Sequence, residues 1–256
     1  MKTPKIIAIA NQKGGVGKTT TAINLSSALT TFGRKILLID MDPQGNSSRG
    51  VGVDGQLSAR TIYDVLVGFV PIDKVIKKTN WENLDLLPSK LKLASMDDLD
   101  NSSNKYHILK DCLMKIEDQY DYIIIDCPPS FGFLTLNSLV ASNTVIIPVQ
   151  CEYFAMAAIS QMLATISRIQ SSLNPSLSIE GFLLTMYDAK TNMDTDITIQ
   201  VRSLFKENTF LTQIPRNISI PESNQRGEPV TAYRPTSSGA LAYFALAKEI
   251  IDHETF

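Results

Sequence analysis

Unbroken apolar runs recur along this chain, among them Ile6-Ile7-Ala8-Ile9-Ala10, Ile36-Leu37-Leu38-Ile39 and Tyr122-Ile123-Ile124-Ile125. A strand with one wet face alternates apolar and polar residues, whereas a strand covered on both faces reads continuously apolar. Further runs at Asn83 to Pro88, Thr144 to Val149 and Ile179 to Thr185 are read as strands too. Stretches with helical spacing lie between them. Thr19 to Phe32 is closed by Gly33, Tyr106 to Gln119 is amphipathic, Phe154 to Leu173 ends at Asn174-Pro175, and Ser237 to Asp252 comes last. The alternation predicts an α/β fold with a mostly parallel twisted sheet flanked by helices on both faces. No repeat and no long linker interrupts the 256 residues, so 1–256 is treated as a single domain. Ser95 to Lys105, rich in Asp, Asn and Ser, reads as a surface loop.

The connection after the first run is Lys13-Gly14-Gly15-Val16-Gly17-Lys18-Thr19-Thr20. A Gly-rich turn between strand and helix can surround phosphates with backbone N–H groups, and the helix N-terminus adds partial positive charge. In such a P-loop, Lys18 contacts the β- and γ-phosphates and Thr19 puts its hydroxyl on Mg²⁺. The usual pattern G-x-x-x-x-G-K-[ST] is broken at its first position, which is Gln12, and a second lysine stands at Lys13. Asp40 and Asp42 follow the run at 36–39, and Asp126 ends the run at 122–125. Ligands of open α/β sheets sit at the carboxyl ends of strands. Three carboxylates there suit Mg²⁺, its waters and an attacking water.

With these residues in place, the chain resembles the ParA/MinD ATPases, whose deviant Walker A motif matches Lys13 to Thr19. Asp40-Met41-Asp42-Pro43-Gln44-Gly45-Asn46 is similar to that family's switch I, and Asp126-Cys127-Pro128-Pro129-Ser130 to its Walker B and switch II. The segments 147–153, 184–192, 214–217 and 238–243 resemble the ParA/Soj branch, so the likeness runs from about Lys5 to Ile251. It implies a P-loop NTPase fold, with ATP and Mg²⁺ as cofactors. Lys13 becomes the signature lysine that reaches across an ATP-dependent homodimer to the partner's nucleotide. Gly14 and Gly15 permit close approach of the two backbones, while Val16, Gly17 and Thr20 complete the loop. Asp42 positions the attacking water, and Asp40 and Asp126 hold Mg²⁺ through water. Pro215 and Asn217 lie near the adenine. The implied task is ATP-dependent segregation of a chromosome or plasmid. The ATP dimer binds double-stranded DNA without sequence preference, and a ParB-type centromere-binding partner stimulates weak hydrolysis. The implied place is the cytoplasm, on the nucleoid.

A formal charge of −2 gives no global basic field, so DNA contact must come from a local patch doubled in a dimer. Lys190, Arg202, Arg216, Arg226 and Arg234 are the candidates. The branch pattern is least well kept here: Lys190 stands where arginine is common, and Ser219 where a basic residue is common. Arg226 is a candidate replacement for the charge missing at Ser219. The loop begins too near the N-terminus for a preceding helix-turn-helix domain, so no operator binding is expected.

Rival readings are a MinD-like membrane-cycling ATPase for division-site placement, an iron-protein-like redox subunit and an ATPase that positions a protein assembly. The first needs a C-terminal amphipathic membrane helix, but the ending Lys248 to Phe256 is mixed or acidic. The second needs cluster cysteines. Cys112, Cys127 and Cys151 form no CxxC pair, which fits reduced thiols in a cytosol. The third is hard to separate from DNA segregation by sequence. No stretch reaches the ~18 apolar residues of a membrane span, and the first apolar run is too short for a signal-peptide core.

Overall fold

The computed structural model describes residues 3–98, 105–152, 155–188 and 190–253. In chain order the main elements are β1 (Lys5–Ile9), α1 (Lys18–Thr31), β2 (Ile36–Asp40), α2 (Asn46–Gly50), α3 (Ile62–Leu66), β3 (Lys77–Lys78) and β4 (Leu84–Leu87). They continue with α4 (Ile108–Leu113), β5 (Tyr122–Asp126), α5 (Phe133–Ala141), β6 (Thr144–Gln150), α6 (Ala155–Ser172) and β7 (Ser178–Tyr187). The last are α7 (Asn192–Phe205), β8 (Ile214–Pro215), α8 (Ser219–Arg226), α9 (Val230–Tyr233) and α10 (Ser238–Asp252).

One sheet runs in the order β3-β4-β2-β5-β1-β6-β7-β8. Its pairs are parallel except β3 with β4. This bears out the expected α/β class and adds an antiparallel edge. The apolar runs divide their residues between two cores. Ile123 and Ile125 face a cluster built with α3, α4, α5, α6 and α7. Tyr122 and Ile124 face the cluster holding α1 and α10. Each such side chain stabilises the fold by about 1.5–3 kcal/mol through burial.

The register positions the site. Ile9 pairs with Asp126, and Asp40 pairs with Asp126 on the other side. The ends of β1, β2 and β5 therefore finish side by side, and the chain leaving β1 is the glycine loop. Helix α1 carries polar residues that are nevertheless buried, because α9 pairs with them. Asn24 Oδ1 accepts the Val230 N–H at 2.7 Å, and Thr231 Oγ1 donates to Ser27 Oγ at 2.8 Å.

The expected helix from Tyr106 to Gln119 is corrected. Its α-helical part is only Ile108–Leu113, followed by turns and a 3₁₀ turn at Glu117–Gln119. The tightening lets Ile116 stay in the core and delivers Tyr120, whose hydroxyl donates to Asp85 at 2.9 Å, at the start of β5. The loop expected from Ser95 to Lys105 is corrected at its start, where a 3₁₀ helix covers Leu91–Asp98; 99–104 lie outside the described residues. So do Phe154, Tyr153 and Ala189 of the segments read above, and the last residues 254–256.

Candidate functional site

Gly17 starts α1 with φ +92°, a conformation that costs a glycine little and an L-residue about 1–2 kcal/mol. It offers no capping side chain, and the first turn of α1 holds no acidic residue, so the helix's leading N–H groups are left for an anion. The loop is braced from below: Thr185 Oγ1 donates to Val16 O at 2.9 Å, and Asn11 Nδ2 donates to Pro148 O at 2.7 Å.

The two lysines of the loop part company. Lys18 is buried, and its Nζ donates to Lys13 O at 3.1 Å. Burial lowers its pKa, and the charges of Asp126, Cys127 and Asp42 offset part of that. Lys13 Nζ instead pairs with Glu152 at 2.5 Å. Lys18, Thr19, Thr20, Gly14, Gly15, Gly17 and Asp42 line a cleft of about 280 Å³ together with Asn46, Pro129 and Met186; Lys13 is not in that lining.

Asp40 and Asp126 are both fully buried. Asp40 Oδ2 accepts from the N–H and the hydroxyl of Ser48, each at 2.7 Å. Asp126 Oδ2 accepts from Ser47 Oγ at 2.6 Å. Burial, then the neighbouring charge of Asp126, pushes Asp40 up to about 8 despite the Ser48 bonds. Burial pushes Asp126 up to about 6, against the pull of Ser47. Asp126 Oδ1 is buried with no hydrogen-bond partner among the described residues. Two adjoining buried carboxylates with an unmatched oxygen call for a cation, and oxygen donors beside a hydroxyl suit Mg²⁺. The residues present fit that metal.

A second cleft of about 280 Å³ adjoins the first through Gly17, Thr20 and Met186. Pro215 and Asn217 line it with Thr185, Ile220, Asn224 and Tyr243. Asn217 is held by Ser238 Oγ, to which its Nδ2 donates at 2.8 Å. Met186 stands between the clefts with φ +54°, an uncommon value for a non-glycine residue and one concentrated at ligand sites.

The sequence model of the family described as "AAA domain" matches residues 4–179. The sporulation initiation inhibitor protein Soj of Bacillus subtilis is 46% identical over 247 residues, covering 96% of this chain and 98% of that protein. The chromosome partitioning protein ParA of Myxococcus xanthus is 43% identical over 252 residues, covering 98% and 89%. The chain belongs to the Soj/ParA family of chromosome-partitioning ATPases. A solved Mycobacterium smegmatis structure, described as cobyrinic acid a,c-diamide synthase with bound ADP and magnesium, matches this Soj/ParA chain. It has a TM-score of 0.87 and 36% identity over 98% of this chain and 96% of that one.

The basic candidates of this Soj/ParA chain are scattered in their engagements. Lys190 is exposed, and Arg216 is exposed at the rim of the second cleft. Arg202 is only half exposed, its guanidinium donating to the carbonyls of Phe210 and Leu211 at 3.2 and 3.0 Å. Arg226 and Arg234 both lie over the Tyr233 ring, at 5.1 and 5.8 Å from its centre. Ser219, read as a lost charge, is buried and lies 3.4 Å from Arg234 Nη1. Ser47, Ser48, Thr185, Met186 and Glu152 were not singled out from the sequence. The serines directly follow the switch segment, which is a usable signal; Met186 is marked only by its backbone angle.

Proposed function

We propose that this chain is an ATP-dependent dimerising switch for DNA segregation, acting in the cytoplasm on the nucleoid. The observation that carries the reading is the divergence of Lys13 from Lys18. One lysine lines the phosphate cleft, while the other extends beyond it to Glu152. A lysine outside the cradle has no phosphate to serve within its own chain, and a site completed by a second copy gives it one.

In this reading, Gly14 to Thr20 hold the ATP phosphates, Pro215 and Asn217 border the base, and Thr19, Asp40 and Asp126 hold Mg²⁺ directly or through water. Bound Mg²⁺ neutralises charge on the β- and γ-phosphates. Lys18 supplies positive charge at the same place; burial works against that charge in the empty cleft but strengthens its attraction to a phosphate. Asp42 orients the water that attacks the γ-phosphate. Hydrolysis then separates the two copies, and a ParB-type partner sets its timing. Two copies also double the exposed basic residues Lys190, Arg216 and Arg226, with Arg202 behind them. The apolar side of α10 is buried by Tyr243, Leu246, Ala247 and Ile250, which favours DNA over a lipid surface as the second partner of the switch.

Co-sedimentation of the chain with DNA tests the reading in ATP, in ADP and without nucleotide, at two salt concentrations. DNA is expected to carry the chain down only with ATP, and less at the higher salt. Equal co-sedimentation in all three nucleotide states would remove the switch.

A further inference from the structure

Helix α2 touches the cation carboxylates at one end and α8 at the other. Ser47 and Ser48 are both fully buried, and each gives its hydroxyl to a different carboxylate, Asp126 and Asp40. Consecutive helical residues point about 100° apart, which lets one turn reach two neighbouring strand ends. Ser48 Oγ also accepts the Ser89 N–H at 3.1 Å, so the helix is anchored to the end of β4. The far end of α2 meets the C-terminus of α8 backbone to backbone. A Cβ on Gly227 would stand 2.8 Å from Arg49 O and 3.3 Å from Gly52 Cα. Gly52 and Gly227 both have left-handed backbones, with φ +76° and +68°. The contact therefore needs glycine on sterics and on conformation. Just before it, α8 carries Asn224 on the second cleft and the exposed Arg226 on the rim of a wider cleft shared with Thr19, Thr20, Asn46 and Arg49.

We propose that α2 is a link between the metal site and α8. Ser47 and Ser48 position Asp126 and Asp40 for the cation, and the Gly52–Gly227 contact passes that arrangement to the turn bearing Asn224 and Arg226. The link rests on the reading of the cleft as an ATP·Mg²⁺ site. It gives the exposed Arg226 a dependence on the metal, although the carboxylates form no hydrogen bond to α8 among the described residues. Ile220 and Asn224 line the second cleft, so nucleotide alone acts on α8 directly. Thr19 and Thr20 also share a wider cleft with Asn224 and Arg226, so it is the comparison of the metal's increment with that in Gly227→Ala that isolates the route through α2.

Amide hydrogen exchange on the full chain, in saturating ADP with EDTA and then with Mg²⁺, tests the link. Mg²⁺ is expected to slow exchange at Gly227 and Glu228, whose N–H groups close the α8 turn on Asn224 O and Ser223 O, by about threefold or more. Ser47→Ala is expected to raise the Mg²⁺ concentration for half-saturation about tenfold, the usual scale for losing a partner of a metal carboxylate. Gly227→Ala is expected to leave that concentration within about twofold, as for a change remote from the ligands, while abolishing the increment at α8. Absence of the increment in the unmodified chain overturns the link, whatever the variants do. So does its survival in folded Gly227→Ala, or unchanged Mg²⁺ dependence in Ser47→Ala. If ADP protects no amide of the glycine loop in the unmodified chain, the nucleotide-site reading falls, and the link with it.

Discussion

Asp42 stands apart from the two buried carboxylates. It is half-buried on the cleft wall, with Oδ1 accepting only the Gln44 N–H, at 2.9 Å, among the described residues, whereas Asp40 and Asp126 are gripped by serines. That placement suits a group that handles water more than one that holds metal. Asp42→Ala is expected to bind ATP normally and to lose at least about tenfold in turnover, the lower end of general-base effects. Phosphate release at the unmodified rate would remove Asp42 from the chemistry. The buried pair makes a separate prediction about pH. Asp40 and Asp126 ionise above their ordinary value of 3.8, up to about 8 and about 6. The folded chain thus holds more protons than the unfolded chain across that window. Stability from this pair is full below the ordinary value and is lost as pH rises towards the raised ones. A bound cation removes the cause, because it stabilises the charged carboxylates. Mg²⁺ should therefore raise the thermal midpoint more at pH 8 than at pH 5, and an equal rise at both would contradict the assignment.

At the scale of elements, helix ends show how much tertiary partners matter. The C-terminus of α5 leaves carbonyls that α5 itself cannot satisfy. Asn174, just past α6, donates its side-chain amide to Leu139 O, Val140 O and Ser142 O at 3.0, 3.2 and 2.8 Å. In the sequence this residue is only a helix stop. In the structure it ties α6 to α5 and is 3% exposed. Asn174→Ala leaves buried acceptors unmatched and should cost about 1–3 kcal/mol, read as a lower urea midpoint with unchanged slope. The element-level expectations divide along the same line. The continuous runs at 36–39 and 122–125 were legible as buried strands because they are short, rich in isoleucine and apolar throughout, as a sheet covered on both faces requires. Helices α5, α7 and α8 were not anticipated: α5 follows Pro128-Pro129, and α8 has an almost wholly polar sequence. α8 is held by its contacts with α2 and α9 and by Ile220 against the core.

For the whole molecule, the question is whether the nucleotide site is complete in one chain. Lys13 is satisfied in the single copy by Glu152, with both side chains partly exposed. Such a pair is worth about 0–1 kcal/mol, too little to hold Lys13 against a nearby triphosphate. Lys13→Ala is expected to keep ATP binding by the single chain and lose the ATP-dependent dimer. An ATP-induced shift to the dimer position in gel filtration of Lys13→Ala would refute the trans role. The logarithm of DNA affinity should fall linearly with the logarithm of salt, since contact is to phosphates. Replacing the exposed Arg226 should shallow that slope by about one ion. Arg202, occupied by two backbone carbonyls, should lower stability when replaced, more than it changes the slope.

The α/β class, the glycine loop and the three strand-end carboxylates were determined by the sequence alone. Each depends on local chemistry: a run apolar on both faces, a turn that needs glycine, an acid at the end of a strand. Only the tertiary structure decided which groups meet. The crossing order of the strands sets Asp40 beside Asp126, α2 brings one serine to each, and β7 carries Met186 at a left-handed irregularity in its pairing with β8, between the two clefts. The sequence told the two lysines of the loop apart by position, but not by surroundings. Packing buries Lys18 inside the cleft and leaves Lys13 outside it, because the loop turns between them.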